Sequence, residues 1–243
     1  MAAAVAAAVL MAACGDGDSG GSGSGSVGAP PTFTASPIAP EHVVAISKFR
    51  SCSGHDFSPG ALGHGPQGAE SARSMKHYVL TDVPLAAADS VPVYAPIDGT
   101  VDIQEENFPL GKQVYINRDG WSVRIFHVDP TVQKGATVKA GQQIGSIAPA
   151  NAVQLLGNKV GPDGKQPGYE FDVAITSKDN SQYLSMFEAM APEVAKSWAS
   201  RGFTASDAVI SKASRDADPC ALGPDGERFA QQEDNPKDWV RAS

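Results

Sequence analysis

Three side chains in one glycine-rich stretch, His55, Asp56 and His64, are of the types that hold a metal or move a proton. Their spacing matches no standard zinc signature, and solvated loops carry such residues without using them. His127 stands apart, in Arg124-Ile-Phe-His-Val128, on a run that alternates apolar and polar residues. Thiol chemistry could come from Cys14, Cys52 or Cys220, the three cysteines of the chain. A thiol nucleophile beside His55 or His127 needs a reduced cysteine, so the compartment decides what these residues can do.

The N-terminus reads as an export signal. Ala2 to Ala13 is short, apolar and Ala-rich, and it runs into Leu10-Met-Ala-Ala-Cys14. That ending resembles the bacterial lipobox, in which a small residue precedes a cysteine lipidated after cleavage. Met11 stands three before Cys14 where Leu is usual, and no Lys or Arg precedes the apolar run. The run is too short to span a bilayer. Gly15 to Gly28 is almost pure Gly, Ser and Asp, followed by prolines at 30, 31, 37 and 40. Such a stretch behaves as a tether, which suits a domain held at a surface by a lipid on Cys14. In an oxidising compartment the remaining pair, Cys52 and Cys220, is expected as a disulfide. Closing so long a loop is worth on the order of 4 kcal/mol by chain entropy.

The elements that must position the histidines are strands. From Val91 to Ile147 the chain is rich in Val and Ile, alternates apolar with polar, and is punctuated by Asp98-Gly99, Asp119-Gly120, Gly135 and Gly141. Gln113–Asn117 and Trp121–Val128 read as a hairpin pair, and Tyr169–Ile175 as a last core strand. Glu41–Phe49 and Arg73–Leu80 read as earlier strands, with a loop over 53–72 between them, and Ala152–Leu156 as one helical turn. Ser181–Ser200 places Leu184, Met186, Phe187, Met190, Val194 and Trp198 at helical spacing, interrupted by Pro192, which predicts two short helices or a kink. Thr204 or Ser206 is the expected cap of a further helix through Lys212. The acidic end beyond Pro219 reads as irregular.

Three features occur in order: Ala95-Pro-Ile-Asp-Gly-Thr-Val101, a strand with the pair Phe126-His127, and Val138-Lys-Ala-Gly-Gln-Gln-Ile-Gly145. Together they resemble the lysostaphin/LytM family of zinc endopeptidases, which cut peptidoglycan cross-bridges, over roughly residues 73 to 175. Lipoyl and biotinyl carrier domains share the two turns, but this chain has a long insert between them and no carrier lysine. The resemblance implies a mainly β fold: a small antiparallel β-sheet or barrel-sandwich domain over 41–176, with a C-terminal helical and irregular extension over 177–243. Residues 1–13 are then the signal peptide and 14–40 the lipidated cysteine and tether.

Family members hold one zinc through a His-x-x-x-Asp motif and the second His of His-x-His, with further histidines serving the attacking water. The resemblance places His77 as first ligand, Asp82 as a second that is one residue late, Glu170 where the third ligand His belongs, and His127 as the middle-strand catalytic His. Gly168 stands where the helper His would be. A set of His, Asp and Glu would make a harder and weaker site than a histidine-rich one. Losing one transition-state donor costs about 100-fold or more. His55 and Asp56 are expected near this site if the disulfide-anchored loop folds over it.

The expected function is accordingly a cell-envelope lipoprotein whose degenerate domain binds cell-wall glycopeptide or regulates an envelope protein, with no resident cofactor. The alternative is a zinc endopeptidase with an altered metal site. A barrel-sandwich adaptor is disfavoured by the absence of long coiled-coil heptads. A net charge of −8 argues against nucleic acid and against direct contact with an anionic bilayer, leaving the lipid as the only membrane attachment.

Overall fold

The computed structural model describes residues 27–61, 70–81, 91–105, 111–147, 170–230 and 235–243. Cys14, His64, Asp82, Gly168 and the expected turn at 152–156 lie outside these residues. Among the described residues no helix is long and apolar enough to cross a membrane.

The alternating segments form one antiparallel sheet. Its strands are β1 (Val43–Ser47), β2 (His77–Thr81), β3 (Pro92–Tyr94), β4 (Gly99–Glu105), β5 (Lys112–Arg118), β6 (Trp121–Pro130), β7 (Thr137–Val138), β8 (Gln143–Ile147), β9 (Glu170–Ser177), β10 (Tyr183–Leu184) and β11 (Trp239–Arg241). The order across the sheet is β11-β1-β2-β9-β6-β5-β4-β7, with β10 on β9 and the β3·β8 pair joined through β8 to β6. The path ends at β11 and β7 rather than closing on itself. Asp119-Gly120 makes the β5–β6 hairpin turn with φ of 50° and 82°, the left-handed pair that a two-residue hairpin requires.

One face of β2, β9 and β6 is the core. Val79, Phe171, Val173, Ile175, Val123 and Ile125 point there and meet the C-terminal helices through Met186, Phe187 and Trp198. Those helices are α1 (Met186–Ala189), α2 (Pro192–Ala199), α3 (Ala205–Ala208) and α4 (Lys212–Ala217). Pro192 does split the first helical stretch in two, since it opens α2 at the position where its missing N–H is harmless. Ser185 caps α1 in a capping box with Glu188.

Thr204 caps a helix, as its sequence position predicts, but that helix ends at Ala208 rather than running through Lys212. Phe49 intervenes: its N–H donates to the carbonyl of Ala208 and its carbonyl accepts from Ile210, which pulls Val209 into an extended bridge. A new helix then starts from the Ser211 cap. The irregular end is also more ordered than the sequence predicts, because Trp239–Arg241 pairs with β1 as the sheet edge.

Residues 27–40, which composition groups with the tether, lie against the sheet where they are described. Phe33 and Ile38 are buried, Phe33 bridges Met190, and Trp121 Nε1 donates to the carbonyl of Gly28. A proline-rich stretch with two apolar anchors can be laid down residue by residue through its backbone groups. The disulfide between Cys52 and Cys220 is present and ties the segment after β1 to the tail.

Candidate functional site

Register decides which side chains can meet. In β2 and β9, Tyr78 faces Asp172 and Leu80 faces Glu170, while His77 is paired with Val173. In β9 and β6, Asp172 faces Phe126. Side chains alternate along a strand, so Tyr78, Glu170, Asp172 and Phe126 share the outer face, and His77 is turned to the core.

His77 is accordingly buried away from Glu170. Its Nδ1–H donates to the Ser47 carbonyl (2.8 Å), and its Nε2 accepts from the Ser185 hydroxyl (2.8 Å). Its ring stacks on Phe49 and meets Phe187 edge-on. Burial without a nearby carboxylate pushes its pKa down to about 4, so the ring is neutral. If Asp82 is the Asp of His-x-x-x-Asp, the His position falls on Tyr78. It is Tyr78, not His77, that occupies the outer face beside Asp172.

His127 reaches that face by breaking the strand's regularity. The β5–β6 register shifts between Val114 and Lys112, and His127 lies there with φ of 65°. This left-handed residue in a bulge swings the imidazole to within 3.6 Å (Nε2 to Oδ2) of Asp172.

The centre of the face is Lys76, which sequence inspection passes over. Its Nζ lies 2.5 Å from Asp172 Oδ2, with the two side chains 3 % and 0 % exposed. Three rings surround it: Tyr78 and Phe126 at 4.6 Å and Phe57 at 5.5 Å from ring centre to Nζ. Burial alone would lower the ammonium's pKa, but the Asp172 carboxylate outweighs this and holds it above the usual lysine range, with Glu170 adding to the effect. Burial would raise the Asp172 carboxyl, but Lys76 and then His127 hold it down at about 2. Tyr78 is pushed up to about 12, chiefly by burial. The pair is thus ionised across the neutral pH range.

The described first part of the disulfide-anchored loop, residues 53–61, packs on this face through His55 and Phe57. The backbone N–H of His55 donates to the Tyr78 hydroxyl (3.2 Å), and Phe57 packs edge-on against Phe126 and Tyr183. Burial lowers the pKa of His55 to about 4, with the Lys76 charge adding to it. Asp56 is used in the turn itself: its Oδ1 accepts from the backbone N–H groups of Ser58 and Arg73.

The described residues do not assemble a zinc ligand set, and Asp82 lies outside them. Among the described residues no three His, Cys, Asp or Glu side chains converge as metal ligands. The donor chemistry gives the reason: His77 faces the core, and Asp172 is engaged by a fixed ammonium that would repel a second cation. What the face holds instead is a locked ion pair walled by buried Phe57, Tyr78 and Phe126, with His55, Asp56 and Tyr183 partly exposed beside it.

Residues 81–162 match the sequence profile of peptidase family M23. A comparison with functionally curated proteins finds no match. Among solved structures, the chain is similar to Csd3 of Helicobacter pylori, with 14% identity and a TM-score of 0.32, over 56% of this chain and 34% of that one. It thus spans about a third of the Csd3 chain. It is also similar to the catalytic domain of the prophage-encoded M23 protein EnpA from Enterococcus faecalis, with 18% identity and a TM-score of 0.35, over 65% of this chain and 96% of that one. A chain of the SpoIIQ–SpoIIIAH pore-forming complex matches at 16% identity and a TM-score of 0.38, over 67% and 92% of the respective chains. The profile match falls on the two turns and the His127 strand already singled out in the sequence, so it is the stretch 81–162 of this chain that is similar to peptidase family M23.

Proposed function

We propose that this protein is an exported bacterial lipoprotein, held in the cell envelope by a lipid on Cys14, whose M23 domain binds cell-wall peptide rather than cutting it. The observation that carries this reading is the Lys76–Asp172 ion pair. A buried ammonium stands on the face where a metal-dependent hydrolase of this family would present ligands, and it engages the carboxylate nearest to His127. A peptidase needs an open position for an activated water beside a Lewis acid. This face closes that position with Lys76 and its aromatic walls, and leaves His55, Asp56 and Tyr183 partly exposed beside it to meet a short peptide.

Purified protein should therefore hold well under one equivalent of zinc, leave cross-bridged muropeptides intact, and sediment with peptidoglycan sacculi. Zinc-dependent cleavage that disappears in His127→Ala would establish the alternative, an endopeptidase whose altered site draws on Asp82 and Glu170. Failure to sediment with sacculi, without cleavage, would shift the reading to an envelope protein as partner. Globomycin treatment or Cys14→Ser should release the protein from membranes, and unchanged fractionation would exclude the lipid anchor.

A further inference from the structure

We infer that Lys76 and Asp172 become joined by an intramolecular isopeptide bond, making the pair a covalent cross-link between the segment entering β2 and the middle of β9. This inference stands on the geometry of the pair and not on what the domain binds. Four observations converge on it. The amine immediately precedes β2 and the carboxyl lies in the neighbouring β9, whose register with β2 is set by the His77·Val173 and Tyr78·Asp172 pairs, so the backbone holds them together. Nζ is 2.5 Å from Oδ2, and Cγ lies one carbon–oxygen bond beyond, inside the range from which oriented intramolecular reactions start. Phe57, Tyr78 and Phe126 enclose Nζ, which excludes the water that would otherwise compete for the carboxyl. Asp172 Oδ1 is buried without a hydrogen-bond partner, an expensive condition for a carboxylate oxygen and a milder one for an amide carbonyl.

The chemistry balances without any added reagent. One proton crosses from the ammonium to the carboxylate, leaving a neutral amine against a neutral acid. Nζ then bonds to Cγ, and the Cγ–Oδ2 bond breaks. Oδ2 departs as water carrying two of the three ammonium protons, and the third stays on the new amide nitrogen. His127 Nε2, 3.6 Å from Oδ2, is positioned to carry a proton to the leaving oxygen. Two charges that must be kept dry become one neutral amide, which removes the desolvation cost of a buried ion pair.

The test is peptide mapping of the purified, reduced full chain by mass spectrometry. The expected result is a loss of one water, located by fragmentation to a branched pair of peptides joined at Lys76 and Asp172. Trypsin should no longer cut after Lys76. The Lys76→Arg protein keeps the ion pair and the fold, checked by circular dichroism, and should run at its full sequence mass. Fragmentation matters because Asp-Gly steps such as Asp98-Gly99 can also lose water, as succinimides. Wild-type protein at full mass, a water loss that maps elsewhere, or cleavage after Lys76 in the unfolded chain would each overturn the bond.

Discussion

At the scale of single residues, two histidines show how position overrides type. His77 has the identity of a metal ligand, yet its ring is neutral and spends both nitrogens on the core, bonding Ser47 and Ser185. Its pKa falls from 6.5 to about 4 on folding, so the unfolded chain takes the proton first. The stability this confers is fully present above pH 6.5 and is lost as pH falls from 6.5 through 4. By linkage it amounts to about 3 kcal/mol. Thermal melts between pH 7.5 and 4 should therefore show a falling Tm, and the fall should be shallower in His77→Gln. His55 contributes in the same direction over the same window. Ser185 holds two of these threads, since its hydroxyl donates to His77 and accepts from the N–H of Phe187. Ser185→Ala should cost about 2 kcal/mol in chemical denaturation, from a lost helix cap and an orphaned imidazole nitrogen. A loss no greater than at an exposed serine such as Ser206 would contradict that assignment.

At the scale of elements, the bulge at His127 is what brings an imidazole to Asp172 at all. A left-handed φ is costly for a residue with a Cβ and worst for a β-branched one. His127→Val should thus destabilise the protein by about 1–2 kcal/mol more than His127→Asn, although both remove the imidazole. Equal losses in urea melts would show that the backbone at this position is unstrained. This bulge also marks a boundary of what sequence can reveal. The core strands are legible because Val/Ile alternation and Asp-Gly turns are local signals, and each of them forms. The face occupied by His77 is not legible, since a one-residue offset reverses every side chain and nothing local says where the offset falls. Lys76 is hidden for a different reason. Its burial is made by Phe57, Tyr78 and Phe126, which arrive from separate segments, and a lone lysine is ordinarily solvated. Strand β11 escapes notice because three residues are too few to show a periodicity, and only the waiting edge of β1 makes them a strand.

At the scale of the whole molecule, the tail and the loop after β1 are bound by more than sulfur. Arg215 is buried and donates to the carbonyls of Arg50 and Asp218 and to Asp238 Oδ1, while Asp238 Oδ2 accepts from the Cys52 N–H. Arg73, also buried, reaches Glu70 and Asp216. The Cys52–Cys220 bond therefore sits inside a preformed polar clamp, and it takes on another meaning when force is applied. In the β1·β11 pair, Ala45 lies opposite Arg241 and Ser47 opposite Trp239, so both chain ends leave from the same end of an antiparallel pair. Once the anchors of residues 27–40, Phe33 and Ile38 among them, have let go, pulling on the two termini peels these strands apart one hydrogen bond at a time, the weakest loading geometry a sheet has. The rupture runs inward until it meets the disulfide. The enclosed 168-residue separation then cannot lengthen. At full extension it would release roughly 600 Å of chain. In optical-trap stretching, oxidised protein should yield at low force and stop short, and reductant should restore the missing length. Under load the domain would in this way fray at its edge and keep its centre.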